Sequence, residues 1–364
     1  MNAPQTTINR ITTGGSSPRL RVEVLDPLEH AAYDEMVSAH SGSVPFHSRA
    51  WLRIIHDTYG HRPVCFVAKN GDGVRAMLPI VEVQSWITGS RGVMLPFADF
   101  CPPMACDAAA YKIVFAAAVK YAQERRWKYL EIRGGSKLMG EEARASVAFH
   151  AHILDLSAGP DHLFGRLEGR MRTAIRKAEK EGVRVEASNA AEAIETYYAL
   201  HCETRKKHGV PPQPWLFFQN LYSHIISKGS GIVVVAQYQG APIAAAVFVH
   251  YGRQAVYKFS ASNAAFLRLC GNNVVLWEAI KWYANHGFSS MHFGRTSFGN
   301  EGLRKYKNGW GATETTLEYF RYSLPKQAYV VDQDRSEGGH NRFLGLLPRP
   351  LFRMAGQVLY RHLS

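Results

Sequence analysis

The 364-residue sequence predicts an α/β protein of the α+β kind, two similar units in tandem with mixed sheets flanked by helices. Three observations predict it. The chain is too long for one ordinary core and suits two domains of about 150 residues each. Its composition, 46% hydrophobic and 20% charged, is that of a globular protein. One order of segments, hairpin then helix then strand, occurs twice.

The elements follow in order. Residues 1–18 are polar, rich in Ser, Thr and Gly, and lack an apolar run, so they read as a disordered leader. A first domain is expected over 19–140. RLRVEVL opens it as a strand, and Asp26-Pro27 reads as the N-cap and first turn of a helix. Ser48 is expected to cap a second helix through Trp51. VCFVAKN and VRAMLPIVEV flank Gly71-Asp72-Gly73, and Asp-Gly between alternating apolar runs signals a hairpin. Residues 113–133, IVFAAAVKYAQERRWKYLEIR, then give an amphipathic helix, a polar turn and a strand. GSKLMGEEARA breaks the periodicity and puts the domain boundary near 135–146.

The second domain is expected over 141–325. AFHAHILDL begins it as a strand, and a long helix follows from about Asp161 to Glu181, ended by Gly182 before the strand VRVE. Two more helices cover roughly 190–208 and 214–228. The hairpin then returns as IVVVAQYQ, Gly240 and PIAAAVFVHY, with Ala236 equivalent to Ala68. Residues 274–294, VVLWEAIKWYANHGFSSMHFG, align without a gap on 113–133. Ala118 to Tyr121 fall on Ala279 to Trp282, Trp127 on Phe288, Leu130 on Met291 and Ile132 on Phe293. Residues 326–364 read as a linker and an amphipathic basic helix. Leu351, Met354, Ala355, Val358 and Leu359 form its apolar side, and Arg349, Arg353, Arg361 and His362 are basic. Such a helix suits an anionic membrane surface, and packing on its own domain is equally open.

A formal net charge of +13 favours anionic partners: nucleic acid, a phosphorylated cofactor, an anionic saccharide or an acidic membrane. The five cysteines are odd in number and form no C-x-x-C pair, which argues against a disulfide framework or zinc site and fits a reducing cytoplasm. No metal-ligand spacing occurs among the 16 histidines, and no Ser-His-Asp or Cys-His spacing suggests a covalent enzyme intermediate. No run of about 18 apolar residues would span a membrane.

The chemistry is expected in the second domain. A strand ending near Ser260 leads through a loop to a helix opening at Gly271 to Asn273. Arg268-Leu-Cys-Gly271-Asn272-Asn273 fits R-x-x-G-x-N and resembles the pyrophosphate loop of GNAT-type acyltransferases. Unpaired N–H groups and the dipole make a helix N-terminus an anion site. Gly271 would let a phosphate approach the backbone, and Arg268 would add a charge-assisted contact. Asn273 replaces the usual Gly or Ala, and an ordinary Asn-capped helix is the alternative. The matching loop in the first half, FADFCPPMACD, lacks the pattern, so that domain is expected to have lost any cofactor site.

Residues 293–319, FGRTSFGNEGLRKYKNGWGATETTLEY, carry a more specific resemblance. Phe293, Gly294, Arg295, Gly302, Leu303, Tyr306, Lys307, Gly309, Trp310 and Gly311 resemble the C-terminal signature of Fem-type peptidyltransferases and their relatives in exopolysaccharide clusters. Phe293 and Gly294 lack that signature's spacer. TRKKHGVPPQPWLFF at 204–218 and RMRTAIRKAEKEGVRVE at 170–186 resemble further stretches, and PFHSRAWL at 45–52 does so more weakly. The resemblance implies two GNAT-like domains and transfer of an acyl or aminoacyl group to an amine. Fem-type enzymes draw amino acids from charged tRNA, and other relatives point to acyl-CoA. The coiled-coil arm associated with tRNA-handling members is absent from this sequence.

Acyl transfer needs a held carbonyl, oxyanion stabilisation and a deprotonated amine. A splay between the strands ending near Ser260 and Gly294 is expected to hold the carbonyl. Lys307 is the candidate for charge stabilisation, with Arg295 at a strand end and Tyr306 beside it. Arg205, Lys206 and His208 form a cationic run suited to an anionic acceptor; Tyr257 and Trp51 are further substrate-binding candidates. His208 and Glu301 are candidate bases. Leu163, Leu167, Met171, Ile175 and Ala178 should face the core, with a basic remainder either solvated or gripping phosphate. The expected function is an acyl-CoA-dependent N-acyltransferase acting on a lipid-linked saccharide or other envelope or exopolysaccharide precursor, without a metal. Aminoacyl-tRNA as donor, and a non-catalytic scaffold, are the alternatives.

Overall fold

A computed structural model describes residues 20–71, 73–331 and 346–362, so the expected leader lies outside the described residues. The contacts divide the chain into two compact units. In the first, β1 (Arg21–Leu25), β2 (Arg62–Asn70), β3 (Gly73–Val83), β4 (Arg91–Val93) and β6 (Tyr129–Arg133) make one sheet in that order. The short β5 (Met104–Ala105) pairs beside β3. All these neighbours are antiparallel except β4 and β6. The helices α1 (Tyr33–Ser38), α2 (Arg49–Tyr59) and α3 (Ala108–Glu124) accompany the sheet. The Ser48 side chain caps α2 by accepting the Trp51 N–H at 3.3 Å, as residue type predicts. Asp26 does not open a helix: its carboxylate accepts the Leu28 N–H at 2.9 Å in a local turn, and α1 starts only at Tyr33.

The second unit runs from Phe149 to Thr316 and includes 346–362. Its sheet contains β7 (Val147–Asp155), β8 (Arg184–Ser188), β9 (Gly231–Tyr238), β10 (Ala241–Tyr251), β11 (Gln254–Ser262) and β12 (Ser290–Thr296) in the order β7-β12-β11-β10-β9-β8. Again a single parallel pair, β11 with β12, interrupts antiparallel neighbours. The expected long helix is two, α4 (Pro160–Arg166) and α5 (Gly169–Lys180). Leu167 and Glu168 between them are extended, and the Glu168 N–H bonds to the Gly309 carbonyl at 3.0 Å instead of continuing the helix. Gly309 packs closely there: a Cβ would stand 2.8 Å from the terminal methyl of Met171, which would have to shift. The remaining helices are α6 (Ala191–Lys207), α7 (Trp215–His224), α8 (Gly271–Asn285) and α9 (Glu301–Asn308).

After α9 the chain forms β13 (Thr313–Ser323), whose residues 319–323 pair with β6, and β14 (Ala328–Tyr329) pairs with β13. The contacts therefore turn at Ala148/Phe149 and assign 317–331 to the first unit, whereas the sequence kept 141–325 together. The last helix, α10 (Arg349–Tyr360), falls in the second unit.

The duplication is visible at residue level. Ala68 pairs with Ala76 and Ala236 with Ala244, and each hairpin shifts register beside that pair. The core of the second unit joins Leu163, Leu167, Met171, Ile175 and Ala178 to the β9–β10 hairpin and to Val275, Leu276, Ala279 and Ile280 of α8. Burying each large aliphatic side chain stabilises the fold by about 1.5–3 kcal/mol.

Candidate active site

The site grows from a gap in the second sheet. Strands β11 and β12 pair for three residues, ending at Val256 with His292, and then part. A bulge sits at the parting on each strand. In β11, Lys258 has no residue opposite it in β10; in β12 the register with β7 shifts between His292 and Arg295. Bulges bend strands and free backbone groups from the ladder, which is why the gap opens here. Gly294 takes φ +69°, a conformation that favours glycine.

Lys307 closes the floor of this bulge. It projects from α9, is 4% exposed, and its Nζ donates to the carbonyls of Gly294 at 3.2 Å and Arg295 at 3.1 Å. Asn300 caps α9 by accepting the Leu303 N–H, which fixes the helix that carries the lysine. Beside it lies a polar network that the sequence reading missed. Glu314 receives Arg304 in a two-bond fork at 2.8 and 2.9 Å, Asn308 at 3.2 Å, and the rings of His150 and His152 at 3.1 and 3.2 Å. The Arg304 hydrogen bonds, with those of Asn308, hold the Glu314 carboxyl at a pKa of about 2 despite its opposing desolvation. Burial and the positive charge of Lys307 push His152 down, so its imidazole is neutral. Its Nδ1 is buried without a hydrogen-bond partner, as is the hydroxyl of Thr296 at the end of β12. The available signal was His-x-His, since residues i and i+2 share a strand face.

At the other edge of the gap, β11 ends at Ser262 and a short 3-10 turn, Ala264–Leu269, leads to α8. Cys270 takes φ +56° at the N-cap and no side chain caps α8. Thr204 ties α6 to this end of β11: its hydroxyl donates to the Ser262 carbonyl and accepts the Ser262 N–H, both at 3.1 Å. Arg205 follows directly, half-buried, with no ion pair among the described residues. Its charge, after burial, holds His201 well below its usual range.

The structure sorts the candidates. Asn272 is in the loop region as expected, its amide 3.3 Å from the Ser262 hydroxyl. Ser260 and Arg268 are exposed near the strand end and loop. Gly271 has a packing role as well: a Cβ there would stand 2.9 Å from Ala244, so the glycine lets α8 press onto β10. Asn273 likewise turns inward, its amide 3.4 Å from the Met171 sulfur. Tyr257 stacks on Phe248 at 5.1 Å and meets Phe293 edge-on, and burial raises its hydroxyl pKa. Tyr306 is packed against Trp310, with its hydroxyl also pushed up by burial. Arg295 lies over Phe149 at 4.5 Å. His208 is exposed at the C-cap of α6, Lys206 is half-buried on it, and Glu301 is ion-paired with Arg304. Trp51 is a correction. It is fully buried in the first unit against Phe46 at 4.8 Å, and no substrate reaches it there.

Comparison with known proteins fits this geometry. Residues 166–308 match the family model described as an acetyltransferase (GNAT) domain. The UDP-N-acetylmuramoylpentapeptide-lysine N(6)-alanyltransferase of Weissella viridescens is 22% identical over 167 residues, 43% of this chain and 48% of that protein. The chain thus spans about half the length of that curated relative. Among solved structures, FemX superposes with a TM-score of 0.68 at 14% identity, covering 84% of this chain and 98% of its own. A tandem GNAT protein from the clavulanic acid biosynthesis pathway gives 0.53 at 10% identity, covering 84% and 99%. Residues 166–308 thus match an acetyltransferase (GNAT) domain, and the chain shares its fold with FemX and with a tandem GNAT protein.

Proposed function

We propose that the protein transfers an acyl group from acyl-CoA to an amine on a cell-envelope or exopolysaccharide precursor, such as a lipid-linked saccharide. The observation that carries this reading is the parting of β11 and β12 in front of the uncapped start of α8. A donor carbonyl entering the gap meets backbone groups released by two bulges, and the first-turn N–H groups of α8 face an anion. Lys307, held against the Gly294 and Arg295 carbonyls, places a positive charge beside the gap. In this mechanism the acceptor amine attacks the thioester carbonyl, Lys307 stabilises the oxyanion, and the thiolate leaves with the electron pair. The amine loses its proton to water or to a neighbouring base such as His208. Arg205 and Lys206 hold an anionic part of the acceptor, and Arg268 a donor phosphate. Gly271 both seats α8 and offers its N–H at the helix start, while the side chain of Asn273 turns inward.

A second reading replaces acyl-CoA by aminoacyl-tRNA. It is favoured by the alanyltransferase relative, whose name records transfer of an aminoacyl group to a lysine N(6). The overall charge of +13 suits either donor. Titration calorimetry of the purified protein with acetyl-CoA and a long-chain acyl-CoA, at low and high salt, tests the first reading. Binding that persists in high salt and weakens in Arg268→Ala is the expected result. Heat that vanishes with salt, together with transfer from alanyl-tRNA, moves the donor to tRNA.

A further inference from the structure

We propose that α10 is a docking surface for an anionic lipid bilayer, independent of the acyl-transfer reading. The helix has two apolar sides. Phe352, 2% exposed, and Gly356 pack into the second unit, and Gly356 approaches so closely that a Cβ would stand 2.0 Å from the Pro212 carbonyl oxygen. The docked side is therefore fixed, and the helix cannot roll to hide its other side. By the 100° turn per residue, Leu351, Met354 and Val358 fall on the opposite side. They are exposed at 49%, 58% and 58%, on a helix of only 12 residues.

Charge decides what covers them. Residues 346–362 contain Arg349, Arg353 and Arg361 and no Asp or Glu. The groove between α10 and α6 is lined by Lys206, Lys207, Arg349 and Arg353, with Glu203 as its single acid. Arg353 lies over the Tyr198 ring at 5.5 Å, and Arg349 is 3.7 Å from Glu203, so both are held at the groove. Exposed aliphatic side chains on a helix that carries arginines and no acid, beside a cationic groove, suit an interface of acyl chains and phosphate headgroups. A second copy of this chain would bring the same arginines together, and three aliphatic side chains are far short of the roughly 800 Å² per partner of a stable protein interface.

The test is co-sedimentation of the full chain with phosphatidylcholine vesicles, with and without phosphatidylglycerol, at physiological salt. Binding only to the anionic vesicles is expected. Met354→Glu/Val358→Glu should weaken it at least about tenfold while circular dichroism stays unchanged, since both side chains are exposed. Arg349→Ala/Arg353→Ala/Arg361→Ala should weaken it and make what binding remains less dependent on salt. Failure of the wild type to sediment overturns the proposal. So does anionic binding unchanged in the Met354/Val358 variant, which would mean generic attraction of a basic protein. A wild-type dimer that this variant converts to monomer would assign the stripe to self-association and overturn it equally.

Discussion

Both units open a gap at the same aligned position, and only one of them leaves it empty of its own strand's side chains. Parallel pairing ends at Val93 with Glu131 in the first unit and at Val256 with His292 in the second. Two residues on, the first unit has Arg133 where the second has Gly294. Arg133 is clamped by Glu131 at 2.8 and 3.0 Å, and its guanidinium donates to the carbonyls of Leu95 and Ala98 at 3.3 and 2.8 Å. The loop after β4 is also drawn onto β6, through Met94 and Cys101 N–H groups at 2.8 Å. In the second unit Gly294 supplies no side chain, and the cation arrives from α9 as Lys307, which binds the carbonyl of the glycine itself. One duplicated frame thus uses its cation as a plug in one copy and as a wall of an open gap in the other.

The largest expected effect breaks the plug. Arg133→Ala removes from Glu131, 5% exposed, one of its two ion-pair partners, leaving Arg321 at 2.8 Å, and leaves two loop carbonyls without that donor. Removing one partner from a buried pair costs about 3–5 kcal/mol. Urea denaturation should show that loss, with transfer per folded molecule unchanged. A fall in turnover would mean the first unit takes part in the chemistry.

Next comes the wall. Lys307→Ala should lower transfer by about 10²–10³, the usual worth of one oxyanion donor. Lys307→Arg should rescue little, because its planar fork does not fit a site built for one ammonium. If Lys307→Ala binds donor normally and turns over normally, the lysine only staples the bulge. A protein that tolerates it and shows no transfer at all would be the scaffold.

Much of this contrast was legible in the sequence, and the reasons differ by residue. The gapless repeat 113–133 against 274–294 holds because a helix packed on a hairpin conserves its apolar spacing, and both copies fold alike. The parting of the strands was readable because strand ends mark it, and Lys307, singled out by its place in a Fem-like stretch, lies against the Gly294 carbonyl beside that parting. The packing role of Gly271 was not legible, since a glycine at a helix start serves close packing as readily as anion approach and only the neighbour Ala244 reveals the former. Trp51 misled because an aromatic in a matching stretch carries no sign of burial. The Glu314 network was hidden as a whole: His150-x-His152 marks one strand face, but 162 residues separate His152 from Glu314 and no local pattern joins the two halves. The break at Leu167 was hidden for the same reason, because Gly309 supplies the competing hydrogen bond.

Acid separates the units more gently. In the first, full burial holds His47 at a pKa of about 3, below the ordinary 6.5, while its ring meets the Val44 N–H and the Pro102 carbonyl at 3.0 Å. The unfolded chain takes up that proton first, so the contribution is present above pH 6.5 and is lost as pH falls toward 3. The limiting slope is about 1.4 kcal/mol per pH unit. In the second unit Glu314, depressed from 4.5 to about 2, contributes above pH 4.5 and is lost as pH falls through 2. Denaturation midpoints followed from pH 7 to 3 should flatten in His47→Gln over the upper window and in Glu314→Gln only over the lower. Identical profiles for the two variants would show that neither group titrates as its surroundings dictate.

The smallest effect sharpens the donor side of the open gap. Arg268 is exposed and enters no ion pair or side-chain hydrogen bond among the described residues, so Arg268→Ala should leave stability within about 0.5 kcal/mol of wild type. A solvent-exposed cation meeting one phosphate is worth roughly 0.3–1 kcal/mol at low salt, a two- to fivefold change in donor affinity. For acyl-CoA that loss should appear in KM and leave kcat unchanged, because a phosphate contact is made equally in the ground and transition states. The same substitution should scarcely change transfer from aminoacyl-tRNA, where many cations share a long polyanion and the loss of one lowers the salt slope by about one unit. An effect on kcat alone would place Arg268 at the reacting carbonyl instead of the phosphate, and the anion site at the start of α8 would have to be abandoned.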